Sequence, residues 1–346
     1  MSRATEKLHP SEGTVRIATV ASIPLVLEQL GYNPVTVLAE CGFDISLFDD
    51  PDNIITHHNR SQLLQQCVNK TGCQHFGLLI GQKTGPSALG LVGFLMQHSP
   101  DLATALHSLV RYSHLHVRGV VIYLEKENAS AFLGYGIYHA NIEAHQQIED
   151  GAVAIAFNIL RQLCGPSWKP DEAHFSHHKP ADSRVYKQFF NAPLKFDTEH
   201  SGLLFSAHWL QQPVAGADPE LYRFLQKQID EFDHRSADDF AEQVQRVLHS
   251  ALHTHQATAD HIAELFSIHP RTLNRRLKSC GTSFQQLADQ TRFEIAQQLL
   301  ENSSIQLNQI AATLDYADAS AFSRAFRRWS GMSPTLWREQ NHQEDD

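Results

Sequence analysis

Several things are missing from this chain, and each absence closes off a class of protein. No apolar run approaches the roughly 18 residues that a membrane-spanning helix needs. The nearest imitation of an export signal, Ile17 to Leu30, is interrupted by Pro24 and carries Glu28 where a small-residue cleavage site belongs, so an ordinary first helix is expected there. Cysteine is scarce: Cys41, Cys67, Cys73, Cys164 and Cys280 are odd in number, scattered, and form no C-x-x-C pair. That argues against a disulfide framework and a zinc knuckle, and for a reducing cytoplasm. Enzyme signatures are missing too: there is no G-x-S-x-G elbow, no H-E-x-x-H, no P-loop, and no G-x-G-x-x-G opening a helix after a strand. Gly134-Tyr135-Gly136 lies inside a strand candidate and lacks the third glycine. No cofactor and no enzymatic activity are therefore expected.

An excess of positive charge is also lacking. The net charge is −10 over 346 residues, which at first argues against a nucleic-acid partner. Its distribution reverses that. Residues 236–340 hold ten Arg and Lys against eleven Asp and Glu, while residues 1–235 carry about −6 and the final Glu344, Asp345 and Asp346 a further −3. Within the near-neutral segment the cations are bunched: Arg271, Arg275, Arg276 and Lys278 share one acid-free window, and Arg324, Arg327 and Arg328 another. A phosphate backbone responds to local potential more than to net charge.

The length exceeds the usual size of one hydrophobic core, so two domains are expected. Residues 19 to about 112 read as helices broken at Gly31, Pro34, Gly72, Gly85, Pro86 and Pro100. Val117 to Glu125 and Ala131 to Tyr138 are β-branched and aromatic runs separated by polar residues, a hairpin pattern. Ile142 to Cys164 follows as one long helix, with Val153, Ala156, Phe157, Leu160 and Leu163 at helical spacing. Short strands are expected at Ala173 to Ser176 and Gly202 to Ser206. The first domain, residues 1–215, is thus α+β. Gln211 to Pro219 has linker composition, and 216–235 is expected as a linker region. An all-α domain follows over 236–340, then an acidic tail over 341–346.

Asp260 to Cys280 reads as helix, tight turn, helix. Ile262, Ala263 and Phe266 form one apolar face, Pro270 starts the second helix where its missing N–H costs nothing, and Leu273 and Leu277 turn inward four residues apart. Arg271, Thr272, Asn274, Arg275 and Lys278 then point outward, and Arg and Asn suit guanine and adenine edges in a major groove. The arrangement repeats over Gln309 to Trp329. Ile310, Ala311 and Leu314 are the first apolar face, Asp315 to Asp318 the turn, and Phe322 and Phe326 the inward pair, leaving Ser320, Ser323, Arg324 and Arg327 outward. Between them Ser283 to Glu301 is helical, opened by the capping pattern Ser283-x-x-Gln286. At about 1.5 Å per residue this connector is roughly 28 Å long, enough to hold two recognition helices near the roughly 34 Å of one DNA turn.

The stretch SAFSRAFRRWSGMSP, Ser320 to Pro334, with the preceding IAATLDYADA and the earlier HPRTLNRRLKSCGTSF, resembles the AraC/XylS family of transcription regulators over about residues 240–340. The chain departs from the family's turn glycines at Ser267 and Asp315. By position, the resemblance implies base reading by Arg271, Asn274 and Arg275 in the first unit and by Ser320, Ser323 and Arg324 in the second. The segment Gly77 to His116 resembles the arabinose-binding-like amino-terminal domain of the family branch that includes ornithine and arginine utilisation regulators, over roughly 20–210. That label names a homology group and does not identify a ligand. The resemblance implies double-stranded DNA and a small-molecule effector as partners, a homodimer, contact with RNA polymerase in an activator, a cytoplasmic location and no membrane.

For the effector, Arg111, Tyr112, His114, His116, Tyr135 and His139 are the polar residues near the strand region. The 22 histidines raise a metal-sensing alternative through His114/His116, His253/His255, His57/His58 and His177/His178, but none has a third ligand at fixed spacing. A first domain that only dimerises, or that turns over a small molecule, are further alternatives.

Overall fold

The computed structural model describes residues 14–115, 117, 120–137, 144–235, 240–253, 256–265, 269–303 and 305–342. The chain divides into two compact units, Met1–Arg235 and Ser236–Asp346. The first is α+β and the second entirely helical among the described residues.

In the first unit, β1 (Thr14–Arg16) is followed by α1 (Ile23–Gln29) and α2 (Pro34–Glu40), then pairs antiparallel with β2 (Ile54–Thr56). Caps written in the sequence start these helices: Asn33 accepts from the Thr36 N–H, and Thr56 from the Asn59 N–H at the head of α3 (His57–Thr71). Next come α4 (Phe76–Gln82), α5 (Leu91–Gln97) and α6 (Leu102–Tyr112), the last capped by Asp101 accepting from the Thr104 N–H at 2.8 Å. β3 (Val120–Glu127) and β4 (Ser130–Ile137) form the expected hairpin, with Asn128 in the left-handed conformation that its short side chain tolerates. Val117, the expected start, bridges Val15; residues 118–119 lie outside the described residues, and β3 is described from Val120. Tyr138 and residues 142–143 lie outside the described residues, and α7 runs His145–Cys164.

β5 (Glu172–His174), α8 (Arg184–Phe190), β6 (Leu194–Lys195) and β7 (Ser201–Ser206) complete a five-stranded sheet of order β3-β4-β7-β5-β6, antiparallel except for β5 with β6. At two residues, β6 is too short to show an alternation, and the sequence pattern missed it. α7 packs across the sheet and presses against α4. The approach is so close that a Cβ on Gly77 would stand 1.9 Å from the Gln147 carbonyl oxygen, so only glycine fits there.

One expectation is corrected. Residues 216–235 are not a linker: α9 (Pro219–Arg235) starts where Asp218 accepts from the Glu220 and Leu221 N–H groups, and it belongs to the first unit. Ile229 is buried in that unit's core and Tyr222 and Leu225 pack on it, a spacing that gives the helix one apolar side. Asp230 accepts from the Tyr112 hydroxyl at 2.7 Å and from Arg111 at 3.0 Å, which pins α9 to α6.

The first unit holds two apolar clusters. One gathers α5, α6, α7 and the sheet; the other gathers α1 to α4, where Val120 and Ile137 also pack.

The second unit comprises α10 (Phe240–His253), α11 (Ala259–Leu265), α12 (Pro270–Ser279), α13 (Phe284–Asn302), α14 (Leu307–Thr313), α15 (Ala319–Ser330) and α16 (Pro334–His342). It too has two clusters, and α13 serves both. Leu287 and Ala288, near its start, pack with Ile262, Ala263, Leu273 and Leu277; Ile295, Ala296 and Leu300, near its end, pack with Ile310, Leu314, Phe322 and Phe326. Among the described residues no helix is long and apolar enough to cross a membrane.

Candidate nucleic-acid interface and effector cavity

The two halves of the second unit are built alike. α12 begins with Pro270, and His269 caps it, its Nδ1 accepting from the Arg271 N–H at 3.1 Å. Leu273 and Leu277 are fully buried, and this fixes the rotation of the helix. Arg271, Asn274, Arg275 and Lys278 are consequently exposed along one stripe, with Thr272 half-buried at its edge. The Asn274 amide is turned back, donating to the Pro270 carbonyl at 3.1 Å, so pairing with a base requires it to swing out. Arg276 takes a different part: its guanidinium lies 5.3 Å from the Phe240 ring centre and packs α12 on α10.

α15 repeats the scheme with Asp318 as cap, accepting from the Ala321 N–H at 2.7 Å, and with Phe322 and Phe326 fully buried. Ser320, Arg324 and Arg327 are exposed on the opposite side and Ser323 is half-buried. Arg328 is engaged elsewhere, bonded to Asp289 of α13 at 3.1 Å. The turn before α15 places Asp315 at φ +60°, the left-handed region that the family glycine would fill. Arg292 of α13 closes this turn by donating to the Leu314 carbonyl at 3.0 Å. The matching turn of the first half, with Phe266 and Ser267, lies outside the described residues.

α13 opens as the sequence predicts, with Ser283 accepting from the Gln286 N–H. It is fastened to α10 by Glu294, which lies 3.0 Å from Nε2 of the fully buried His249. Burial holds that imidazole below its ordinary value, with Glu294 opposing the shift, so His249 sits neutral in the core. With 19 residues, α13 spans about 28 Å.

The residues considered for an effector divide. Arg111 and Tyr112 bond to Asp230 and are not in the lining of the cavity that Tyr135 faces. His116, His139 and the side chain of His114 lie outside the described residues. Tyr135 does line a cavity, about 100 Å³ in volume, together with members of both first-unit clusters such as Leu64, Ile148, Leu133 and Ile159. Arg60 of α3 shares this lining, 4% exposed, and was not legible as a site residue because it sits in a mostly polar helical stretch. Burial pushes the Tyr135 phenol up to about 12, against the pull of Arg60, so it remains a neutral hydroxyl.

Other buried charged groups of the first unit are bonded to polar neighbours. Glu149 accepts from the Ser176 and Ser201 hydroxyls at 2.6 and 2.8 Å. Asp150 lies 2.9 Å from His177 Nε2 and accepts from the Tyr186 hydroxyl at 2.5 Å. Burial raises the Asp150 carboxyl despite these bonds; burial pulls His177 down, but Asp150 outweighs it and holds the imidazole above its ordinary value. Of the histidine pairs, His57 bonds to Arg60, His177 to Asp150 and His178 to Asp197, whereas His255 and the side chain of His253 are outside the described residues. Among the described residues no group of three His, Cys, Asp or Glu side chains is gathered as a metal site.

A unit with two helix-turn-helix elements on one connecting helix, preceded by an α+β domain, defines a class of DNA-binding transcription regulators. Comparison with known proteins agrees and specifies the family. Residues 31–214 match the arabinose-binding domain of AraC transcription regulators, N-terminal, and residues 262–340 match a helix-turn-helix domain. The chain belongs to the AraC family of transcription regulators. Among its relatives are the HTH-type transcriptional regulator VirS of Mycobacterium tuberculosis, 25% identical over 90% of this chain and 93% of its own, and the ornithine utilization regulator of Pseudomonas aeruginosa, 26% identical over 85% and 87%. The crystal structure of the transcriptional regulator CdpR from Pseudomonas aeruginosa covers 92% of this chain and 96% of its own, at 18% identity and a TM-score of 0.46.

Proposed function

We propose that this regulator reads two successive major-groove segments with one chain. Arg271, Asn274 and Arg275 meet base edges in one segment, and Ser320, Ser323 and Arg324 in the next. Thr272, Lys278 and Arg327 hold the phosphate backbone. The observation that carries this reading is the pair of exposed, acid-free stripes on α12 and α15, each held by its own core at a different end of α13. The first unit acts as an effector-responsive and dimerising domain that binds without turnover, and in an activating role the second unit also meets RNA polymerase. The cytoplasm, where its DNA is, is its place of action. The packing of α9 in the first unit supports taking 1–235 as the effector-responsive domain and 236–340 as the DNA-binding domain.

Base reading and backbone gripping separate by mutation. Binding of Arg275→Ala and Lys278→Ala to an operator library tests it. Arg275→Ala should cost about 1–3 kcal/mol on the preferred site and relax preference at one or two base pairs. Lys278→Ala should weaken all sequences about equally. An equal, sequence-independent loss in both would mean that α12 does not lie in the groove as proposed.

A further inference from the structure

We propose that the cavity between the two apolar clusters of the first unit binds a small carboxylate with an apolar body, and that Arg60 receives its carboxylate group. This rests on the reading of that unit as effector-responsive and gives its ligand a chemical class.

Among the described residues, Arg60 is a buried charge with no counter-charge. Arg60 is 4% exposed, and a guanidinium stays cationic even where burial lowers its pKa. No carboxylate among the described residues lies within ion-pair distance of it. Its bonded neighbours are neutral: one terminal amine donates to His57 Nδ1 at 3.1 Å, Tyr135 faces it as a phenol, and Nε has no acceptor. Glu149, the acid that acts on Tyr135, is already engaged by Ser176, Ser201 and His145. A buried cation without an anion is costly, and a planar guanidinium with an open Nε is a fork that matches a carboxylate.

The rest of the lining sets what accompanies that carboxylate. Leu64, Leu133, Ile148, Val153 and Ile159 are apolar, and the other polar side chains are already in use. Gln147 accepts from the Gly77 N–H at 2.8 Å and donates to the Gln74 carbonyl at 2.9 Å; the Thr19 hydroxyl donates to the Arg16 carbonyl. A sugar, with a hydroxyl on nearly every carbon, would bury several polar groups here without partners. The volume, about 100 Å³, is smaller than the ~150 Å³ cavity that accepts benzene, so the ligand is no larger than about benzene itself, the range of propionate to butyrate.

Titration calorimetry on the full chain, with propionate, butyrate, 1-butanol, butanamide and L-arabinose as probes, tests the inference. Propionate or butyrate is expected to bind once per chain, at least about tenfold more tightly than the alcohol or amide, with arabinose not binding. Arg60→Met should erase the preference for the acid over the alcohol, and Arg60→Lys should restore part of it. Ala156→Leu, which narrows the cavity and leaves Arg60 in place, should weaken acid and alcohol together. Failure of the folded chain to bind either acid at millimolar concentration would overturn the inference, as would equal binding of acid and alcohol. So would unchanged acid binding in Arg60→Met alongside a fall in its melting temperature, since Arg60 would then be a structural group only. Operator binding, assayed on the same preparation, keeps the two readings apart: a chain that binds DNA but no carboxylate sinks this inference alone.

Discussion

The two units handle charge in opposite ways. The first buries Arg60, Glu149, Asp150 and His177, each at most 8% exposed, and surrounds them with hydroxyls, imidazoles or a cavity. The second sets its cations outward on α12 and α15, while its buried His249 is held neutral. An outward cation costs little in water and attracts phosphates over the Debye length, about 8–10 Å at ordinary salt. An inward ion must find a specific partner or it destabilises the fold. The outward cations of the second unit thus suit a long polyanion, whereas the buried charges of the first unit suit only partners that fit inside it.

Salt should break the comparison most visibly. With Arg271, Arg275, Lys278, Arg324 and Arg327 near the duplex, three to five counterions are released, giving a log–log slope of about −3 to −4.5. Between roughly 50 and 200 mM salt, affinity should then fall about sixty- to five-hundredfold. Arg327→Gln should reduce the slope by about one, whereas Arg184→Gln, an exposed first-unit arginine bonded to Asp182, should leave it unchanged. A flat salt dependence, or a slope equally sensitive to both residues, would erase the distinction between the units.

Within the first unit the larger cost should come from the interior. Asp150→Asn leaves His177 and Tyr186 imperfectly matched and should destabilise that unit by about 1–3 kcal/mol in chemical denaturation. Operator affinity at a temperature where the chain is still folded should not change. A loss of DNA affinity matching the loss of stability would show that the units do not keep their tasks separate.

The smallest effect should be in pH, with opposite signs in the two units. His177 is held above its ordinary 6.5 by Asp150, so its contribution is complete below 6.5 and lost as pH rises through the folded value. His249 is held below 6.5 by burial, so its contribution is present above 6.5 and lost as pH falls. Each slope is bounded by about 1.4 kcal/mol per pH unit for one proton. Unfolding of His177→Gln and His249→Gln, compared with the parent on either side of 6.5, measures both. Slopes of the same sign would refute the assignment.

The second unit was the more legible in sequence because its helices are amphipathic and local. Leu273 with Leu277, and Phe322 with Phe326, announce which side faces in, and the outward stripes follow from that spacing alone. Asp315 was legible as a turn residue because Asp tolerates positive φ. The first unit depends on contacts far apart in the chain, which local pattern does not carry. The proline and glycine before α9 give that stretch the composition of a linker, though Asp218-Pro219 followed by Tyr222, Leu225 and Ile229 is a capped helix pattern. The tie of Arg111 and Tyr112 to Asp230 is invisible to local pattern because that partner stands more than a hundred residues away. Arg60 gave no signal, since nothing in its neighbours shows that the helix turns that side into an apolar cavity.

The most direct test of two-groove reading by one chain is the base-pair preference of Arg275→Ala and Arg324→Ala, each measured on a fully randomised operator library. α13, at about 28 Å, predicts that the two variants relax preference at positions separated by one helical turn, about 10 base pairs. Relaxation at the same base pairs, or an Arg324→Ala variant that loses affinity with its preferences intact, would contradict it.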